Sequence, residues 1–168
     1  TKIGNQAFKN CKNLRVLNMP ESTTEIGYEA FANTAVEQVV IPNNVTGIGD
    51  LAFSECSDLS SVKLPKYINS IGTRAFYNCD KLTSIEIPKN LQTGGGQFFS
   101  GAFDDCDNLK EVIFEVGTTK VADFLFKNCT GLETITIPEG VTKIGNQAFK
   151  NCKNLRVLNM PESTTEIG

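Results

Sequence analysis

The chain has 168 residues, a formal charge of −3, 40% hydrophobic, 8% aromatic and 21% charged residues, six Cys, six Pro, no Trp and no His. That length suffices for one core of ordinary size, and the composition argues against disorder, a collagen-like chain and a small disulfide scaffold. No apolar run approaches the ~18 residues of a membrane span, no basic stretch marks a nucleic acid or lipid surface, and the missing histidine removes the commonest metal ligand and the usual base near neutral pH.

From Ile3 onward one pattern recurs, Ile-Gly-x-x-Ala-Phe-x-x-Cys-x-x-Leu. In the first unit Ile3, Ala7 and Cys11 stand four apart with Phe8 beside them, a spacing that predicts a helix of about two turns, with Asn5 as its N-cap. Leu14, Leu17 and Met19 then alternate with polar residues. This predicts a short strand with one buried face, ended by Pro20 because proline has no N–H for a ladder. The second unit, from Ile26, has Tyr28 in the cap place, lacks a residue around Thr34-Ala35-Val36 and carries the strand Val36/Val39/Ile41 before Pro42. The third (Ile48, cap Asp50, strand Leu59/Val62/Leu64) and the fourth (Ile71, cap Thr73, strand Leu82/Ile85/Ile87) keep phase. About four extra residues around Thr93-Gly94-Gly95-Gly96-Gln97 come next. The fifth unit then has Phe98-Phe99 for Ile-Gly, Ser100 as cap, the strand Leu109/Val112/Phe114, and Glu115 in the proline place. The sixth (Val121, cap Asp123, strand Leu132/Ile135/Ile137) and the seventh (Ile144, cap Asn146, strand Leu155/Leu158/Met160) complete the chain.

The units therefore start at 3, 26, 48, 71, 98, 121 and 144, and residues 1–168 read as one solenoid domain of about seven units. Residue types are confined to phases of the repeat. Phe8, Phe31, Phe53, Phe76, Phe103, Phe126 and Phe149 share the sixth place, all six Cys share the ninth, where Thr34 is the exception, and all six Pro share the eighteenth. Types held to one phase form stacked ladders. A strand and a short helix cannot each bury an apolar face alone, whereas stacking them gives a continuous core and a parallel sheet, an α/β solenoid.

The strand motif L-x-x-L-x-L, together with the 23-residue unit carrying Ile-Gly-x-x-Ala-Phe-x-x-Cys and Ile-Pro, resembles the BspA-like, or treponemal-type, leucine-rich repeats of bacterial and protist surface proteins. The Asn usual after the strand of leucine-rich repeats occurs only at Asn44 and Asn90, so a continuous asparagine ladder is not expected. The resemblance implies a curved solenoid with a parallel concave sheet and short convex helices. It also implies an extracellular or cell-surface setting and a role in adhesion, and it brings no catalytic residues.

The reactive residues fit this picture. The cysteine spacings contain no C-x-x-C pair, so packing is preferred over disulfides, a zinc site or a nucleophile lacking its base. No catalytic, cofactor-binding or metal-binding residues are expected. The Gly94-Gly95-Gly96 run lacks the Lys-Ser/Thr ending of a phosphate loop and reads as a bulge; Phe98 fits the buried ladder, and Phe99 is either exposed or a cover for the widened gap. Asn44-Val45-Thr46 and Asn128-Cys129-Thr130 match the glycosylation sequon, although both fall naturally out of repeat positions.

The outward positions of the strands vary while the buried ones do not. From them Gln38, Val40, Lys63, Glu86, Ile113 and Thr136 are the candidate partner-binding residues. The expected activity is non-enzymatic recognition of a protein or glycan, without nucleic acid and without direct membrane insertion. A structural spacer or self-assembling array is the alternative.

Residues 1–27 are identical to residues 142–168, whereas unit 121–143 matches unit 144–166 at only eight of 23 places. Packing constraints alone do not produce that identity. A recent duplication, a longer array with a 141-residue super-repeat, or a deliberately periodic chain each would. With no Met at Thr1 and no polar cap at either end, the chain is expected to be a segment of a longer array or to associate end to end.

Overall fold

The computed structural model describes residues 1–168 apart from the side chain of Gln97. In chain order the strands are β1 (Lys2–Ile3), β2 (Glu25–Ile26), β3 (Gln38–Val40), β4 (Gly47–Ile48), β5 (Ser61–Lys63), β6 (Ser70–Ile71), β7 (Ser84–Ile87), β8 (Thr93–Gly94), β9 (Glu111–Phe114), β10 (Lys120–Val121), β11 (Thr134–Thr136), β12 (Lys143–Ile144), β13 (Val157–Asn159) and β14 (Glu166–Ile167). All strand pairs are parallel and join equivalent residues of successive coils, as in Ile3↔Ile26, Ile48↔Ile71 and Ile144↔Ile167. From the second coil to the seventh each contributes two short strands, one at the Ile-Gly step and one at the L-x-x-L-x-L motif, whereas in the first coil the strand predicted at Leu14/Leu17/Met19 is not formed and that stretch makes only the isolated Val16–Gln38 bridge.

The predicted convex helices are not formed, and no α-helix occurs among the described residues. Their sequence folds instead as a run of turns. Ala7 N–H, Lys9 N–H and Cys11 N–H close onto the carbonyls of Gly4, Gln6 and Phe8, while the alternate donors Gln6, Phe8 and Asn10 reach out to Tyr28, Ala30 and Ala32 of the next coil at 2.8 Å. A helix would need those alternate donors for its own i−4 carbonyls. Positive φ at the fourth and eighth places, such as Gln6 and Asn10, Leu51 and Glu55, also breaks helical winding. The cap residues serve the stack as well, because Asn5 Oδ1, Asp50 Oδ1 and Asp123 Oδ1 accept from the N–H of Tyr28, Thr73 and Asn146, one coil on.

The fifth coil begins four residues earlier than its sequence suggests. Ile71 pairs with Gly94, so the extra residues form a loop inside the coil, closed by an antiparallel bridge between Gly95 and Gly101. Phe98 is therefore not in the buried ladder but 88% exposed, and Phe99 is 68% exposed with its ring edge-on to Phe124.

The remaining ladders are packed as their phases predict. Phe rings stack along the solenoid with centroids 5.1–5.8 Å apart from Phe8 to Phe149, and those from Phe31 to Phe126 are fully buried. Proline's carbonyl opens the turn after each strand, accepting from Thr23, Val45, Ile68, Leu91, Val141 and Thr164. Glu115 keeps that turn through Thr118, and its own N–H adds a bond to Ile87 that proline could not make.

Candidate functional site

Strand alternation decides which side chains leave the core. Val39, Val62, Ile85 and Ile135 point inward and are buried, so their neighbours on each strand point outward. All six candidates stand on this outer face: Gln38, Val40, Lys63, Glu86, Ile113 and Thr136 are exposed. The register groups them further. Val40 is directly opposite Lys63, and Glu86 is opposite Ile113. Thr136 faces Asn159, whose amide donates to Thr136 Oγ1 at 3.2 Å.

Between these pairs the ladder opens, a feature the sequence does not signal. Strands β3 and β5, β7 and β9, and β11 and β13 are hydrogen-bonded, but among the described residues no ladder bond joins β5 to β7 or β9 to β11. A cleft of about 440 Å³ occupies the first break, with Lys63 and Glu86 on its walls and Lys66, Pro88 and Glu115 beside them. A cleft of about 480 Å³ occupies the second, bordered by Ile113 and Thr136. A third, about 360 Å³, lies beside Gln38 and Val40, where on this face the first coil meets β3 through the isolated Val16–Gln38 bridge. Each candidate residue therefore borders an opening with backbone polar groups at its edge. The surroundings are mixed in sign, with Arg15 paired to Glu37 at 3.0 Å and apolar Val16, Val40, Ile113 and Val157 between the polar residues.

The cysteines do structural work. Cys56, Cys79, Cys106, Cys129 and Cys152 are buried, and each thiol donates to the carbonyl of a Phe in the preceding coil, Phe31, Phe53, Phe76, Phe103 and Phe126, at 3.0–3.4 Å. Burial pushes the Cys106 thiol up to about 12 and that of Cys152 to about 11, with Cys56, Cys79 and Cys129 also raised by burial. Such thiols are far from the low-pKa state a nucleophile or metal ligand needs. Among the described residues no cluster of three His, Cys, Asp or Glu could hold a metal ion. Only Cys11 is exposed.

Other expectations also find their places. Asn44 Nδ2 donates to Glu21 O at 2.7 Å and Asn90 Nδ2 to Lys66 O at 3.2 Å, so these two residues act alike but do not join into a continuous ladder. In the second sequon Asn128 is half-buried and committed to Asp104 Oδ1 at 2.7 Å. Sequence reasoning missed Asp104 itself, whose carboxylate is fully buried and meets Arg74 Nε at 3.3 Å.

Comparison with known proteins agrees with this geometry. The family described as BspA type leucine-rich repeat region matches residues 1–102 and 97–168, with six copies. A leucine-rich cell surface protein from Faecalibacterium prausnitzii is similar, with 28% identity and a TM-score of 0.56 over 99% of this chain and 56% of its own. The leucine-rich repeat protein of T. pallidum shares 24% identity at a TM-score of 0.67, over 99% of this chain and 77% of its own. The pneumococcal vaccine antigen PcpA shares 22% identity at a TM-score of 0.63, over 97% and 49%. At those identities the last two show a common fold. The chain spans about half the length of the F. prausnitzii protein. No curated protein sequence matches it.

Proposed function

This chain belongs to the BspA-type leucine-rich repeat family, and from that premise we propose that it is a non-enzymatic, surface-exposed or secreted binding module that recognises a protein or glycan through the outer face of its long strands. One observation carries the reading: the three clefts of that face are bordered by the residues that vary from coil to coil, on a scaffold whose buried Phe, Cys and Pro places hardly vary. Register-fixed strands hold such side chains in place at little entropic cost, which favours recognition. Clefts edged with backbone donors and acceptors and flanked by Lys63, Glu86 and Thr136 suit hydroxyl-rich or peptide groups. The mixed signs and net charge of −3 do not suit nucleic acid. The surface setting is supported by the F. prausnitzii relative, described as a cell surface protein; the burial of five thiols is compatible with an oxidising medium.

The test is a variant combining Gln38→Ala, Lys63→Ala, Glu86→Ala and Ile113→Ala, compared with the parent on a printed glycan array and a panel of immobilised proteins. Loss of every interaction with an unchanged circular dichroism spectrum is expected. Retained binding would move the site off this face.

The alternative, a spacer or self-assembling array, is favoured by one observation, the identity of residues 1–27 with 142–168.

A further inference from the structure

The loop inside the fifth coil holds two aromatic side chains outside the core. Phe98 and Phe99 have φ of 53° and 56°, a left-handed conformation that bulky side chains seldom adopt. The loop is nevertheless fastened on both flanks. Gly96 N–H donates to Ser100 O at 2.9 Å, Ala102 N–H to Gly94 O at 2.7 Å and Lys127 Nζ to Phe99 O at 2.6 Å, while the Phe99 ring lies edge-on to Phe124. Phe98 is thus presented to solvent from an anchored base, and backbone strain of this kind collects at functional sites. Phe98 also forms one wall of a cavity of about 270 Å³, shared with Tyr28, Asp50, Leu51 and Arg74 of the second to fourth coils. None of these five residues belongs to the long strands.

The polar groups of this cavity are left over from the stack. In the third place of the repeat Asn5, Asp50 and Asp123 each accept the N–H one coil on. Tyr28 stands in that place without a carboxylate or amide oxygen, and among the described residues the Asp50 N–H has no acceptor. Asp50 Oδ1 takes the Thr73 N–H at 2.7 Å, whereas Oδ2 carries no hydrogen bond among the described residues. Arg74 commits Nε to Asp104 at 3.3 Å, with its guanidinium 4.9 Å from the Tyr77 ring centroid, and its Nη groups are unbonded among the described residues.

We propose that this cavity takes one neutral sugar ring of a glycan, set between Tyr28 and Phe98 with its hydroxyls on Asp50 and Arg74. The volume lies below the roughly 300–1,000 Å³ of sites for drug-sized ligands, so it admits a single ring. The charges select the occupant. An anionic group meets the Asp50 carboxylate, and a cationic one meets the Arg74 guanidinium. A purely apolar side chain would cover the Asp50 N–H and carboxylate without bonding them, at the cost of their desolvation. Neutral hydroxyls donate to the carboxylate and accept from the N–H and the guanidinium, while the C–H face of the ring lies on the electron-rich faces of the aromatic walls. The site stands apart from the long-strand face and holds whether or not that face binds a partner.

Ligand-observed NMR on the whole chain tests this with millimolar methyl glycosides of glucose, galactose, mannose and N-acetylglucosamine, beside N-acetyltyrosine amide as a peptide-like ring. A single ring at the efficiency of ordinary small ligands binds in the millimolar range, too weakly to survive the washes of an array, so this readout is separate from that of the long strands. Tyr28→Asn removes one wall and supplies an amide oxygen to the Asp50 N–H, as Asn5 does for the Tyr28 N–H, and is expected to keep or raise the melting temperature. Phe98→Ala removes the other wall at an exposed position. At least one glycoside is expected to bind the parent, and each substitution to weaken that binding about tenfold or more. The variant combining Gln38→Ala, Lys63→Ala, Glu86→Ala and Ile113→Ala is expected to bind it as the parent does. The proposal is overturned if no glycoside binds the parent, if either Tyr28→Asn or Phe98→Ala binds undiminished, if the long-strand variant loses the binding, or if N-acetyltyrosine amide is preferred to every glycoside.

Discussion

Leu125 fills the space left by Gly94. A Cβ added to Gly94 would collide with Leu125 Cδ1, and Leu125 occupies the fifth place, where the other six coils hold Ala. Gly94 in turn holds the first place of the fifth coil, which is Ile or Val in every other coil. The missing side chain of one coil is thus supplied by the next.

A double-substitution cycle tests this coupling. Leu125→Ala alone opens a cavity beside Gly94 and is expected to cost about 2–5 kcal/mol. Gly94→Ile alone overfills the site and is expected to cost about 1–3 kcal/mol. Combined, they recreate the Ile/Ala pair of the other coils, and most of the loss should be recovered in urea melts. Additive losses would show that the two sites are independent.

At the eighth place Asn10, Asn33, Asn78, Asp105, Asn128 and Asn151 all have positive φ, a region that Asn and Asp tolerate better than other side chains. Glu55 adopts the same conformation at φ 59°. Asn33 Nδ2 reaches Asn10 Oδ1 at 2.8 Å, but Asn78 reaches Glu55 only at 3.4 Å. Glu55→Asn should relieve the strain and let one amide bridge Asn33 and Asn78. A gain of about 0.5–1 kcal/mol is expected in thermal melts.

The ladders were legible because each residue type keeps one phase, and burial follows phase. Turns were not distinguishable from helix, since Ile3, Ala7 and Cys11 share a side in either conformation; what decides is that Gln6, Phe8 and Asn10 find carbonyls in the next coil, a contact 22 residues away. The fifth coil misled for a related reason. Gly94 carries no hydrophobic mark, so Phe98 takes its place in a sequence alignment, and only pairing with Ile71 restores the phase. The outward candidates followed from alternation alone, whereas the clefts beside them depend on which strands bond, a property of the whole stack.

Asp104 joins three coils, accepting from Asn128 Nδ2 at 2.7 Å and pairing with Arg74 at 3.3 Å across the fourth, fifth and sixth coils. Ala32 at the same place of the repeat shows that a methyl group fits there. Asp104→Ala would leave Asn128 and Arg74 without this acceptor. Since the arginine is 44% exposed and can turn to water, the expected loss is about 1–3 kcal/mol, below that of a fully buried pair. Chemical denaturation measures it.

Alkaline pH should loosen the solenoid through its thiols. Unfolded cysteine ionises near pH ~8.5, while burial holds Cys106 protonated up to about 12 and Cys152 to about 11 in the folded chain. For a group whose folded pKa is raised, the stabilising contribution is complete below the unfolded value. It is lost as pH climbs toward the folded one, because only the unfolded state releases its proton. Each such thiol then removes about 1.4 kcal/mol per pH unit across that window. The melting temperature should fall between about pH 9 and 11, and Cys106→Ala should flatten the fall relative to the parent while costing some stability at pH 7. The difference between parent and variant cancels the Lys and Tyr titrations common to both. At neutral pH a thiol reagent should label Cys11 rapidly and the other five only on unfolding, since each of those is buried with its S–H on a phenylalanine carbonyl. Parallel slopes for parent and Cys106→Ala would mean that this thiol gains nothing from its burial.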